Sequence, residues 1–153
     1  MKHKRQLILI LLITIPLFLI SGQEQSDSMP NNMFSITGTI KSENLSGEAI
    51  YIMLVTEEIF KTQLASQQEI VIKMDNPAKN EYDFCFENVS PGTYGIRCFI
   101  DQDGNKKLNG GIGGPSEPWG MSWKDGKAKG WPKFKDISFI VNKNITKLEI
   151  EVK

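Results

Sequence analysis

An all-β domain, an antiparallel sandwich of about seven short strands, is the fold the sequence predicts, and three observations carry it. Apolar and polar residues alternate at period two in several stretches, most plainly through Tyr82, Phe84 and Phe86. Clusters of Gly, Pro, Asn, Asp and Ser separate these stretches at short intervals. No long segment repeats its apolar residues at helical spacing.

In chain order, Phe34, Ile36 and Ile40 lie at even spacing in a Thr- and Ser-rich run, which reads as a first strand. Ala49 to Val55 is nearly continuous in β-formers and reads as a central strand buried on both faces. The stretch from Thr56 to Gln68 fits either a short helix through Ile59, Phe60 and Leu64 or an irregular crossover. Ile70-Val71-Ile72 and then Tyr82 to Phe86 give two more strands. A turn at Pro91-Gly92 feeds the strand of Tyr94, Ile96, Cys98 and Ile100. Ile137 to Val141 and the alternation of Leu148, Ile150 and Val152 complete the set. The expected core holds Phe34, Ile36, Val55, Phe84, Phe86, Val89, Tyr94, Ile96, Leu148 and Ile150. Strand phase puts Cys85 outside and Cys98 inside, so two free thiols are expected rather than a disulfide.

The 153 residues suit one domain behind a leader. Lys2-His3-Lys4-Arg5 is basic, Leu7 to Ile20 is apolar, Ser21-Gly22 is small, and Gln23 onward is polar. This order predicts a signal peptide over residues 1–22, a flexible tether over 23–32 and the β domain over 33–153. The apolar run, roughly 14 residues, falls short of the about 17–25 that cross a bilayer. The expected product is exported, periplasmic or extracellular, with no membrane span once the leader is cleaved. Loss of Lys2, Lys4 and Arg5 leaves 15 of the 18 bases against 18 acids. That balance lacks the basic surplus of a nucleic-acid binder.

The single histidine, His3, lies in the leader. The mature part therefore has no imidazole for a Ser–His or Cys–His nucleophile or for a histidine-ligated metal. Asp101, Asp103 and Glu117 remain as carboxylates for glycoside hydrolysis. Two aspartates at i and i+2 more often form a turn or an ion loop, and no enzymatic activity is expected.

The loop Asp101, Asp103, Asn105, Lys107 and Asn109 offers oxygens at positions 1, 3, 5, 7 and 9 of a calcium loop, Lys107 through its carbonyl. Alternate spacing suits one hard cation because every second residue can turn inward. Lys106 stands where such a loop wants Gly, and Ile112 where it wants a bidentate Glu, a carboxylate that Glu117 could supply from the next loop. The same residues also make an Asp-Gly turn capped by its own side chains. Calcium is thus the one cofactor suggested. Trp119, Trp123 and Trp131 fall in one glycine-rich connection, either packed on the sandwich or forming, with Glu117, a platform for a glycan. Lys124, Lys127, Lys129, Lys133 and Lys135 among them would also suit an anionic polymer.

At Phe86-x-x-Val89-x-Pro91-Gly92-x-Tyr94 the chain resembles the prealbumin-like and carboxypeptidase-regulatory-like β-sandwiches. Asp101-x-Asp103-Gly104-Asn105-x-Lys107-Leu108-Asn109, then Gly114-Pro115-x-Glu117-Pro118-Trp119-Gly120, then Pro132-x-Phe134-x-Asp136-x-x-Phe139, is similar in order and spacing to domain-of-unknown-function family 2141. That resemblance implies an exported bacterial protein with an Ig-like or prealbumin-like sandwich, and it brings no established activity. In the family's pattern a histidine precedes the first aspartate, where this chain has Ile100. The expected function is a non-catalytic binding or accessory domain with a glycan or anionic-polymer ligand. The alternative is a structural or assembly component of the cell envelope.

Overall fold

A computed structural model describes residues 32–42, 46–62, 66–75, 79–124 and 132–153. The expected leader, nearly all of the tether, Leu64, Lys127, Lys129 and Trp131 lie outside them. Among the described residues, ten strands and two short helices run in the order β1 (Phe34–Lys41), β2 (Ala49–Val55), α1 (Glu57–Thr62), β3 (Gln68–Lys73), β4 (Glu81–Val89), β5 (Gly92–Asp101), β6 (Gly110–Gly111), β7 (Gly114–Pro115), β8 (Trp119–Met121), α2 (Phe134–Ile137), β9 (Phe139–Val141) and β10 (Ile145–Glu151). No described helix is long and apolar enough to cross a membrane.

One sheet has the order β10-β1-β4 and the other β3-β2-β5-β8, with β9 pairing the start of β5. Period-two alternation decides which side chains meet between them. From the first sheet Ile36, Ile40, Phe84, Phe86 and Ile150 turn inward; from the second, Ile50, Ile52, Leu54, Ile96 and Ile100. They form one buried cluster, and each fully buried side chain of this kind contributes about 1.5–3 kcal/mol. Phe34 and Leu148, expected in the core, pack at its edge half-buried. Gly38 is required where it stands, because an added Cβ would overlap the Leu148 carbonyl oxygen and lie 2.7 Å from the Phe84 ring.

One pairing departs from the sequence reading, and two further stretches gain detail. The β1–β10 pair is parallel, whereas the other strand pairs are antiparallel. The stretch after β2 does form a helical turn, α1, closed by the Phe60 N–H donating to the Thr56 carbonyl at 2.9 Å. β2 is buried on both faces at its ends, through Ala49 and Val55, while Tyr51 and Met53 between them on the outer face are half-covered. The pairings of β1 also slip by one residue on both sides. Asn88 (φ 55°) and Lys147 (φ 61°) take the left-handed conformation beside these bulges.

Cys85 is exposed on β4 and Cys98 is buried on β5, both as free thiols. Burial pushes the Cys98 thiol up to about 12, so almost no thiolate forms near neutral pH. A soluble thiol reagent should label one site in the native protein, Cys85, and two after denaturation. Native labelling of Cys98, located by peptide mapping, would contradict this inside-outside phase.

Candidate functional site

The site begins where β5 ends. Ile96, Cys98 and Ile100 face the core, so the same alternation sends Phe99 and Asp101 to the opposite face. Asp101 is nonetheless only 2% exposed, because the following loop folds over it. Its Oδ1 accepts from the Gly104 N–H and its Oδ2 from the Lys106 N–H, both at 2.9 Å. Those amides reach inward because Gly104 (φ 76°) and Lys106 (φ 64°) are both left-handed. Gly104 takes this backbone without the strain that a Cβ would add at φ 76°, and the Glu48 carboxylate lies against it. Lys106 adopts the backbone a calcium loop demands at that position, at a cost of about 1–2 kcal/mol for a residue with a Cβ.

Asp103 anchors the outer half of the loop. Its Oδ1 accepts from the Asn105 N–H at 3.1 Å. Its Oδ2 accepts from the Asn105 and Asn109 side-chain amides at 2.9 and 2.8 Å. The Asn105 amide also donates to Asn109 Oδ1, and Asn105 Oδ1 accepts from the Lys107 N–H, each at 2.8 Å. These donors, Asn109 first and the Asn105 backbone second, hold the Asp103 carboxyl below its ordinary 3.8. A lowered carboxyl stabilises the network above its ordinary value, and that support is lost only as pH falls through the lowered one.

The glycine-rich stretch then makes a hairpin. β6 pairs with β7, Ile112 stands fully exposed at the tip, and the Ser116 N–H donates to the Asn109 carbonyl at 2.8 Å. The hairpin returns Glu117 to the loop base, 5% exposed. Glu117 Oε1 accepts from the Gln102 N–H and Oε2 from the Asn109 N–H, both at 2.8 Å. Ligand oxygens of Asp101, Asp103 and Glu117 all lie within 4.8 Å of one another. The carboxylate absent at Ile112 is thus supplied five residues later, across the hairpin. Of the other candidates, Asn105 and Asn109 join this group through their hydrogen bonds, while Lys107 is held there by its N–H. Glu117 belongs with the carboxylates rather than on a platform with the tryptophans.

This donor set fits calcium in type: hard oxygens, three of them carboxylates, on a sharply bent loop. Each oxygen of Asp101 and Glu117 already accepts one main-chain N–H and keeps a second lone pair. Asn105 and Asn109 present amide hydrogens to Asp103, so a bound cation would require both amides to rotate their oxygens inward.

Trp119 lies just beyond Glu117, on β8, and the register gives it neighbours that sequence reasoning missed. Val71 pairs with Tyr51, Tyr51 with Phe99 and Phe99 with Trp119, so one row crosses the outer face of four strands. The Tyr51 and Phe99 rings stack at 5.0 Å and 6°. Burial, then the carboxylates of Asp101, Glu69 and Glu48, raise the Tyr51 hydroxyl above its ordinary range. The signal for this row was Phe99 itself, an aromatic on the outward phase of an apolar strand. Trp123 follows β8 half-buried, and its main-chain N–H donates to the Met121 carbonyl at 2.8 Å.

The family model described as "Uncharacterized protein conserved in bacteria (DUF2141)" matches residues 39–149, well over half of the chain. No curated protein and no solved structure matches.

Glu117→Gln tests the hairpin's hold on the loop. The amide keeps one acceptor and turns a donor toward the second main-chain N–H, leaving that buried group unsatisfied at about 1–3 kcal/mol. Urea unfolding should show a loss of that size, with faster hydrogen exchange at Gln102 and Asn109. Unchanged stability and unchanged exchange would mean that Glu117 does not clamp the loop.

Proposed function

The chain belongs to this bacterial family, and from that premise we propose that it is an exported, non-catalytic binding domain. Its Asp101–Asn109 loop is a calcium-stabilised element beside an aromatic face that takes a glycan. The observation that supports the ion is the convergence of Asp101, Asp103 and Glu117 oxygens within 4.8 Å. The glycan reading rests on the part-exposed Tyr51, whose ring stacks on the buried Phe99, and on part-exposed Trp119 in the same row, since flat rings match the apolar face of a pyranose. The exposed carboxylates near Tyr51, Glu48 and Glu69, would accept from sugar hydroxyls. Lys124, Lys133 and Lys135 are exposed beyond β8 and suit an anionic polymer less well, because the carboxylates oppose it.

One observation favours a second reading, a structural component of the cell envelope. Every oxygen of Asp101 and Glu117 already accepts a main-chain N–H, so the loop can hold its shape as a stiff turn without an ion.

A thermal melt separates the two. At a hundredfold excess over its Kd, calcium stabilises the folded state by about 2.7 kcal/mol, which raises the Tm by roughly 5–10 °C for a domain of this size. Asp103→Asn, which leaves the Asp101 and Glu117 hydrogen bonds intact, should abolish the rise. An identical Tm in calcium and in EDTA, with no glycan-dependent change in tryptophan fluorescence, would leave the structural component standing. Export carries its own check: intact-mass analysis of the native protein should place its N-terminus at Gln23, whereas a retained Met1 would argue for an anchored leader.

A further inference from the structure

β3 is an outer strand of its sheet, and among the described residues no strand pairs with its far edge. Its sequence, Gln68-Glu69-Ile70-Val71-Ile72-Lys73, is rich in β-branched residues and has neither a proline nor a bulge. Edge strands that must stay single usually carry such interruptions. Val71 is 47% exposed, and Ile70 and Ile72 pack on the core only partly covered.

The main-chain phase of this edge follows from the pairing on the other side. The Met74 N–H donates to the Glu48 carbonyl at 3.0 Å, which makes that a hydrogen-bonded pair in the register joining Ala49 to Lys73. Antiparallel ladders alternate, so Ile72 and Ile70 also turn their main-chain groups toward β2. Glu69, Val71 and Lys73 then turn theirs outward, toward the free edge.

We propose that this edge is a self-complementary interface through which two copies of the chain pair β3 against β3, antiparallel, about a two-fold axis at Val71. In that register Val71 faces Val71 of the second copy, and each Glu69 faces a Lys73. All three residues have outward main-chain groups, so about six N–H···O bonds form. Ile70 meets Ile72 on the inner face and completes its cover. Shifting the register by two residues in either direction sets a charged residue against Val71 and breaks the Glu–Lys match. A parallel in-register pairing would set Glu69 on Glu69 and Lys73 on Lys73, so the charge pattern selects the antiparallel form. Each copy spends its one β3 edge, and the contact closes as a dimer instead of growing into a fibre. The two sheets then merge, and the row Trp119–Phe99–Tyr51–Val71 continues into its mate, doubling the aromatic face.

One six-residue strand pair lies at the small end of specific interfaces, so the dimer should be concentration-dependent. Sedimentation of the wild-type protein should show a monomer–dimer equilibrium. Glu69→Lys sets like charges opposite each other, and so does Lys73→Glu in the reverse sense. Each should weaken self-association by roughly tenfold. Mixed in equal amounts, the two variants regain opposite charges at both positions and should form a heterodimer as tight as the wild type. Because both substitutions are at exposed positions of an edge strand, native circular dichroism serves as the folding control. A wild-type chain that stays monomeric to about 1 mM overturns the proposal and leaves the edge to a foreign strand. So does a dimer that both variants leave unchanged, and so does a mixture that fails to recover.

Discussion

The candidate site depends on the grip of the Glu117 carboxylate on two main-chain N–H groups, those of Gln102 and Asn109, at the two ends of the loop. A carboxylate 5% exposed is costly unless donors surround it, and these two amides face inward only when the loop is closed. The dependence therefore runs both ways. The loop closes because Glu117 satisfies its ends, and Glu117 can be buried because the loop is closed. Hydrogen bonds to charged groups contribute about 1.5–3 kcal/mol each, against about 0.5–1.5 for neutral ones. The left-handed Lys106, at about 1–2 kcal/mol, is well within what the Asp101 and Glu117 contacts can offset.

A second buried polar group does comparable work on the other end of β5. The Ser122 hydroxyl accepts from the Ile96 N–H at 2.8 Å and donates to the Ile137 carbonyl at 2.7 Å. It holds β8 against β5 and carries the returning chain of α2 onto the same strand. The site loop and the α2 segment are thus both fastened to β5, which pairs with β2, β8 and β9. A ligand at the aromatic row would rest on the most highly connected strand of the sheet.

What the sequence disclosed was what depends on local periodicity. Tyr82, Phe84 and Phe86 declared their face by alternation, and Cys85 and Cys98 followed from the same phase. Asp101, Asp103, Asn105 and Asn109 converge as their alternate spacing suggested. Relations between distant segments stayed hidden. Nothing in Ile145–Glu151 announces that it lies parallel to Phe34–Lys41, because parallel and antiparallel partners need the same alternation. The glycines after Asn109 read as a loop, and only the hairpin geometry reveals that they deliver Glu117. Lys106 gave no warning of its left-handed backbone, since neighbouring hydrogen bonds rather than its own propensity impose it. Tyr51 and Phe99 became neighbours through register alone.

The parallel β1–β10 ladder joins the first strand of the domain to its last. β1 is the middle strand of its sheet, and one of its two flanks can be filled only when the final residues are available. At the end of β10 the Lys153 N–H and carbonyl bond to Trp119 of the other sheet at 3.1 and 3.0 Å, so the same late segment also ties the sheets together. Contacts of such sequence separation make folding slow, because the loop must close before they repay its entropy. A chain emerging from the ribosome therefore keeps an open flank on β1 until Ile145–Glu151 has been made. Until then neither the β1 flank nor the Lys153–Trp119 tie between the sheets can form.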